Sequence, residues 1–240
     1  MAAARAAAIS GQRAALVTLL PGDFETGRAL IDTTGSVVAA DPGIAVPEGV
    51  RRAAVERIVR DRPGVELADH REWFVDVITP PPTLRIFGAG PIAESLCRLG
   101  AAAGFAVVVG DPRPAHATAE RFPEAVAVDC GWPDDLLRRR PLGDDCFVVS
   151  LLHAERFEDV LLPLVLNHPV RYVGALGSRQ THAARVERLI ASGFAPDQVA
   201  RIHGPVGLAI GAVTPEEIAV AILAEMVQVR RGGSHPSHES

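Results

Sequence analysis

Beyond residue 83, short apolar runs alternate with longer segments that are apolar along one side only. Strands that are apolar throughout are typical of a parallel sheet covered by helices on both faces. The alternation therefore predicts a Rossmann-like, doubly wound, mostly parallel sheet. The predicted strands are Leu84–Phe87, Ala106–Val109, Ala125–Val128, Phe147–Leu151 and Val170–Ala175. The predicted helices are Ile92–Ala103, Pro133–Arg140, Glu155–Asn167, Thr181–Ser192 and Pro215–Arg230.

The first 80 residues predict a smaller unit of mixed α+β type. Its predicted elements are helices at Ala2–Gly11 and from Pro47, strands at Ala14–Leu20 and Trp73–Ile78, and a hairpin of Arg28–Asp32 with Ser36–Ala40. The run Pro80-Pro81-Pro82 then forms a stiff linker that continues neither a helix nor a sheet. We therefore predict a small N-terminal domain over residues 1–80, a Rossmann-like domain over 84–231, and a disordered tail over 232–240.

Composition and charge exclude several classes of protein. A hydrophobic fraction of 48% with 22% charged residues is that of an ordinary globular protein. The formal net charge of −5 creates no overall field that would attract nucleic acid. No apolar run approaches the roughly 20 residues of a membrane span. Cys97, Cys130 and Cys146 are widely spaced and form no C-x-x-C pair, which argues against a disulfide framework and predicts a reducing, cytoplasmic compartment.

The first predicted strand leads into the loop Gly88-Ala89-Gly90-Pro91-Ile92-Ala93, which fits the pattern G-x-G-x-x-G/A. Gly88 permits the tight turn, Gly90 lets the backbone approach a phosphate, and Pro91 suits the first helical turn. Asp111 follows the second strand, 23 residues after Gly88, where an acceptor for ribose hydroxyls is expected. We assign Gly88, Gly90, Pro91 and Asp111 to cofactor binding.

Two further glycine-containing stretches follow later strands. In the first, Gly177 and Ser178 precede a helix whose free N–H groups favour an anion. The basic residues Arg179, His182 and Arg185 continue it at every third position, and they predict either an anion clamp or a basic edge in solvent. The second stretch contains Gly204, Gly207 and Gly211 and leads into the capping sequence Thr214-Pro215-Glu216-Glu217.

His153 comes directly after the strand Phe147–Leu151. The carboxyl ends of parallel strands form the ligand crevice of such sheets, so we add His153 to the candidate cofactor-binding residues, with a structural histidine as the alternative. The sequence offers no set of residues arranged for catalysis and no metal-ligating pattern.

Together these motifs resemble the XdhC/CoxI family of accessory proteins for molybdenum hydroxylases such as xanthine dehydrogenase. The matching stretches are Leu84–Ala93 (LRIFGAGPIA), Tyr172–Leu189 (YVGALGSRQTHAARVERL) and Ala200–Glu225 (ARIHGPVGLAIGAVTPEEIAVAILAE). The resemblance implies a non-catalytic, chaperone-like protein that binds the molybdenum cofactor (molybdopterin) and delivers it to the apo-enzyme. It also implies a homodimer, a cysteine desulfurase as a second partner, and glycine loops that cradle a pterin phosphate or a nucleotide.

The sequence departs from the family pattern at two places. No cysteine precedes Cys97, and the segment Ser36–Gly43 stands near where the family carries a cysteine-containing loop. Ala209 occupies the position of the usual aspartate in the third glycine stretch. Two alternatives to a maturation factor therefore stay open: an NAD(P)-dependent oxidoreductase that uses Gly88, Gly90 and Asp111, and a nucleotide-sensing module without chemistry.

Overall fold

The computed structural model describes residues 13–21, 26–152 and 154–232. Contacts within the chain divide it into two compact units, Met1–Pro80 and Pro81–Ser240. The predicted helix Ala2–Gly11, His153 and residues 233–240 of the predicted tail lie outside the described residues. Among the helices of the described part of the chain, none is both long and apolar enough to cross a membrane.

The N-terminal unit is an antiparallel sheet with a helix packed on it. Its strands are β1 (Ala14–Leu19), β2 (Gly27–Asp32), β3 (Val37–Ala40), β4 (Gly64–Ala68) and β5 (Arg71–Ile78), and its helix is α1 (Glu48–Arg60). The strand order is β3-β2-β1-β5-β4. Helix α1 buries Val50, Ala54 and Ile58, which are spaced four residues apart on one face. They join a core that includes Val17 and Trp73.

The predicted hairpin is present as β2 and β3, and its turn is closed by the carboxylate of Asp32. That carboxylate accepts hydrogen bonds from the N–H groups of Thr34 (2.8 Å) and Ser36 (3.0 Å). Strand β4 is absent from the expectation drawn from the sequence. Val65 and Leu67 remain 50% and 73% exposed, because β4 is an edge strand and pairs only with β5.

The C-terminal unit is built on a six-stranded parallel sheet. Its strands are β6 (Thr83–Phe87), β7 (Ala106–Asp111), β8 (Ala127–Cys130), β9 (Cys146–Ser150), β10 (Tyr172–Ala175) and β11 (Ile202–His203). Its helices are α2 (Pro91–Ala102), α3 (Pro133–Arg139), α4 (Glu155–Leu166), α5 (Arg179–Ala191), α6 (Pro196–Val199) and α7 (Pro215–Arg231). The order β11-β10-β9-β6-β7-β8 is that of the doubly wound dinucleotide-binding fold, so the predicted fold class is confirmed.

Two hydrophobic cores cover the two faces of this sheet, which explains why its strands are apolar throughout. On β9, Phe147 and Val149 belong to the core that includes Ile222 of α7. The intervening Val148 belongs to the opposite core, with Leu161 of α4. Alternate side chains of one strand therefore meet helices on opposite faces.

Two strands at the edges of the sheet differ from the sequence-based expectation. Strand β8 begins at Ala127, two residues later than predicted, because Ala125 closes a turn onto the carbonyl of Phe122. Strand β11 has only two residues, Ile202 and His203, and such a short element leaves no periodic pattern that a sequence could reveal.

A buried ion pair ties the two helices that follow β9 and β10. The guanidinium of Arg185 on α5 donates to both carboxylate oxygens of Glu158 on α4, each at 3.0 Å, and to the carbonyl oxygen of Leu176 at 2.7 Å. The hydroxyl of Ser150 at the end of β9 also donates to Glu158, at 3.3 Å. The side chains of Arg185 and Glu158 are only 2% and 5% exposed. The pair therefore fixes the loop after β10 against the end of β9.

Replacement of Arg185 by methionine should lower the free energy of unfolding by about 3–5 kcal/mol, because Glu158 would remain buried without its partner. Arg188, one turn later, supplies the control, because it pairs with the exposed Glu155 and Asp159. Arg188→Met should cost no more than about 1 kcal/mol. Urea unfolding of both variants measures the difference, and equal losses would contradict a structural role for the buried pair.

Candidate functional site

The parallel arrangement of the strands brings most of the residues predicted from the sequence to one edge of the sheet. Gly88 follows β6, Asp111 ends β7, Gly177 follows β10, and Gly204 follows β11. The order of the strands reverses between β6 and β9, and open sheets of this kind bind ligands in the crevice that forms at such a point.

The two glycines of the first loop have different roles in the structure. Gly88 has φ +108°, and an added Cβ would lie 2.9 Å from the carbonyl carbon and oxygen of Leu151. Only glycine fits there, since β6 and β9 lead into loops whose backbones touch. Gly90 has φ −89°, and no atom lies within 4 Å of an added Cβ. The space over Gly90 is therefore open to a ligand, and Pro91 takes the first helical position of α2.

Asp111 has a buried carboxylate whose two oxygens are both engaged. It accepts hydrogen bonds from the N–H of Ala89 at 2.7 Å, from the N–H of Arg113 at 2.9 Å, and from Nε and Nη2 of Arg113 at 2.9 Å each. Burial alone would raise the pKa of Asp111, but the hydrogen bonds from Arg113 and Ala89 outweigh it and lower that pKa. The carboxylate is therefore charged and holds the glycine loop. A ribose hydroxyl would have to compete with these donors.

A cleft of about 220 Å³ lies at the point where the order of the strands reverses. Its lining comes from the ends of β6 and β7 and from the segment that enters α4, and the lining residues are Gly88, Asp111, Pro112, Arg113, Leu151, Leu152, Ala154, Arg156 and Phe157. It unites Gly88 and Asp111 of the predicted residues. Wider and more open depressions lie along α3 and α4 and beside Cys130, away from the glycine loops. His153 lies outside the described residues.

The loop after β10 does not form the predicted basic clamp. The hydroxyl of Ser178 accepts the N–H of Thr181 at 3.1 Å and thus caps α5. Arg185 is buried against Glu158, so the interpretation of Arg185 as an anion ligand or a solvent-exposed residue is wrong. Burial and the charge of Arg185 lower the pKa of His182, which favours the neutral ring. Among the basic residues of this edge, Arg179 remains exposed.

The third glycine stretch is anchored by Glu225 of α7. Its carboxylate accepts hydrogen bonds from the N–H of Gly207 at 2.9 Å and from the hydroxyl of Tyr172, and it lies 3.0 Å from Nδ1 of His203. Burial opposes ionisation, but the hydrogen bonds from His203, Tyr172 and Gly207 lower the pKa of Glu225.

The three glycines of this stretch differ in the space around them. An added Cβ at Gly204 would overlap the ring of His182, at 2.1 Å from Nδ1, and one at Gly207 would lie 3.0 Å from the backbone nitrogen of Ile222. Gly211 has open space around it. Gly204 and Gly207 therefore serve packing, and neither they nor Gly177 and Ser178 line the cleft beside Gly88.

Sequence reasoning missed Arg156, Glu158 and Glu225. Arg156 stands among acidic residues at the start of a helix and looks like an ordinary exposed charge. Glu225 carried a usable signal, because it follows Ile222 by three residues and so shares the apolar face of α7. Within the described residues, no group of three or more His, Cys, Asp or Glu side chains is arranged to hold a metal ion.

Comparison with known proteins gives consistent matches. The family model of the XdhC Rossmann domain matches residues 84–226. The chain is 35% identical over 158 residues to a probable xanthine dehydrogenase subunit of Bacillus subtilis, covering 66% of this chain and 46% of that protein. It is 28% identical over 151 residues to the molybdenum cofactor insertion chaperone PaoD of Escherichia coli, covering 63% of this chain and 41% of that protein.

A crystal structure of a xanthine dehydrogenase from Bacillus halodurans superposes with a TM-score of 0.74 at 28% identity, covering 99% of this chain and 65% of that chain. The chain thus spans less than half the length of both curated relatives and about two thirds of the solved structure.

The contrast between Gly88 and Gly90 can be tested by two alanine substitutions in one loop. Gly88→Ala should lower the free energy of unfolding by about 1–3 kcal/mol, because the new Cβ meets the backbone of Leu151 and the positive φ is strained. Gly90→Ala should change it by no more than about 0.5 kcal/mol, because nothing occupies that space. Urea unfolding measures both, and an unaffected Gly88→Ala variant would mean that the two loops do not touch.

Proposed function

Since the chain belongs to the XdhC family, we propose that it acts as an accessory factor in the maturation of a molybdenum hydroxylase. In this proposal it binds the molybdenum cofactor as cargo and hands it to the apo-enzyme. The names of two relatives, a molybdenum cofactor insertion chaperone and a probable xanthine dehydrogenase subunit, support this role. The observation that carries it in the structure is the cleft beside Gly88, at the crevice of a doubly wound sheet.

The residues at this crevice suit the phosphate end of the cargo. The open space over Gly90 permits close approach of a ligand to the backbone. The first N–H groups of α2 have no partners within the helix and favour a negative charge. Arg113 borders the adjoining cleft. Phosphate is the group that such donors bind best.

The same residues do not suit the molybdenum end of the cargo, which prefers soft thiolate ligands. Burial raises the pKa of Cys97 and of Cys146 to about 11 each, so both thiols stay protonated near neutral pH. Cys130 is exposed but does not line the cleft beside Gly88. We therefore propose that the C-terminal unit holds the cofactor by its pterin phosphate and leaves the metal to other groups.

An apo-molybdenum hydroxylase is the partner that this role requires. A cysteine desulfurase as second partner, a homodimer and a cytoplasmic location fit the same role and stay predictions. The function needs no catalytic group in the chain itself, because binding and release of a cargo suffice.

A nucleotide-binding role is the second candidate, favoured by the strand order and by the position of Asp111 at the end of β7. Against an NAD(P)-dependent enzyme stands the carboxylate of Asp111, which already accepts four hydrogen bonds. Calorimetric titration with NAD⁺ separates the candidates, because tight binding that Asp111→Ala abolishes would favour the dehydrogenase.

Deletion of the gene for this chain should leave the host's molybdenum hydroxylase assembled but deficient in molybdenum cofactor and in activity. Wild-type protein should restore both. Gly90→Val should fail to restore them although it folds, because its side chain fills the open space over the loop. Gly143→Val is the matched control, since Gly143 also has nothing within 4 Å of an added Cβ and lies outside the site. Metal analysis and activity of the purified hydroxylase are the measurements.

A fully active, fully loaded hydroxylase in the deletion strain would contradict the proposed function. Restoration by Gly90→Val as complete as that by Gly143→Val would instead contradict the assignment of cargo binding to the loop at Gly90.

A further inference from the structure

We propose that the cleft beside Gly88 is a binding site for an organic phosphate monoester, held between the guanidinium groups of Arg113 and Arg156. The site deepens the proposed function, on which it rests only for the identity of its ligand. The existence of an anion site follows from the residues themselves. Both arginines line the cleft, one just past the end of β7 and the other in the first turn of α4.

Arg113 is oriented before any ligand arrives. Its Nε and Nη2 each donate to the buried carboxylate of Asp111 at 2.9 Å, while 54% of its side chain stays exposed. A guanidinium carries five N–H donors in one plane, so three remain after the two that Asp111 accepts. A planar arginine held on one edge by a carboxylate presents its other edge for recognition of a phosphate.

Arg156 is free to pair with an anion. Its guanidinium carbon lies 4.7 Å from the centre of the Phe157 ring, a contact that uses the face of the guanidinium and leaves its N–H groups free. The acidic residues that share this end of α4 are committed elsewhere. Glu155 and Asp159 pair with Arg188, and Glu158 pairs with the buried Arg185.

Charge and size together define the class of ligand. Among the described residues that line the cleft, Asp111 is the only acidic one, and Arg113 neutralises it, so the charge of Arg156 remains for the ligand. A phosphate monoester carries a charge of about −1.5 to −2 near neutral pH, which suits two guanidinium groups. The volume of about 220 Å³ is below the roughly 300–1,000 Å³ of pockets for drug-sized ligands, so it accommodates the phosphate with one adjoining group and excludes a complete dinucleotide.

Calorimetric titration of the purified chain with adenosine 5′-monophosphate (AMP) tests the site at low ionic strength and in buffer without phosphate. We expect AMP to bind, adenosine to give no heat of binding, and NAD⁺ to bind more weakly than AMP. Arg156→Gln should weaken AMP binding about tenfold or more, because a charge-assisted hydrogen-bond pair to the phosphate is lost. Added salt should weaken the binding to wild-type protein, because the attraction is electrostatic.

Arg156→Gln is the main variant because it breaks no ion pair, whereas Arg113→Gln would leave Asp111 buried without its partner. Arg138→Gln is the matched control, since Arg138 is an exposed arginine that pairs with Asp134 and Asp135 on α3 and should leave AMP binding unchanged. Equal binding of adenosine and AMP, or equal affinity of wild-type and Arg156→Gln for AMP, would overturn the site.

A parallel titration with metal-free molybdopterin identifies the source of the phosphate. Arg156-dependent binding of molybdopterin tighter than that of AMP supports the pterin cargo. Arg156-dependent binding of AMP alone supports a nucleotide and removes the cargo from this cleft. Absence of binding by both ligands overturns the site. A normal hydroxylase in the deletion strain would overturn the proposed function while leaving these titrations unaffected, so the two failures are distinguishable.

Discussion

The buried carboxylate of Asp111 is the group on which the first glycine loop and the cleft beside it depend. It accepts the N–H of Ala89 and so fixes the loop between β6 and α2, and it orients the guanidinium of Arg113 at the mouth of the cleft. A carboxylate in this place usually serves as an acceptor for ribose hydroxyls. With both oxygens engaged by Arg113 and the backbone, it serves instead to present a cation, and the preference of the crevice moves from hydroxyl groups to anions.

The other two glycine stretches follow the same rule, because each is fixed by one carboxylate from a neighbouring element. Glu158 of α4 holds Arg185, which in turn holds the carbonyl of Leu176 before Gly177. Glu225 of α7 accepts the N–H of Gly207 directly. Loops rich in glycine lose much conformational entropy on folding, and a charged hydrogen bond to each loop offsets part of that cost. The carboxyl edge of the sheet is therefore held in place without a bound ligand.

The sequence predicted those features that depend on local pattern. Apolar strands between amphipathic helices identified the doubly wound sheet, and the sequence from Thr214 to Glu217 identified a capping box, which the structure contains. Features that depend on distant partners were missed. Arg185 and Glu158 each look like surface residues of a helix, because nothing local reveals that the two helices pack against each other there. Arg156 gained its significance only when the fold placed it beside the same cleft as Arg113. The assignment of the other candidate residues to a cofactor stays a prediction.

The position of a bound phosphate is the measurement that tests the central claim most directly. In a crystal structure of the chain with AMP, we expect phosphate oxygens within about 4 Å of the guanidinium nitrogens of both Arg113 and Arg156, the usual limit of an ion pair, with the bond between Arg113 and Asp111 intact. A phosphate seated elsewhere, for example against the loop from Gly204 to Gly211, or an Arg113 turned away from the ligand, would contradict it.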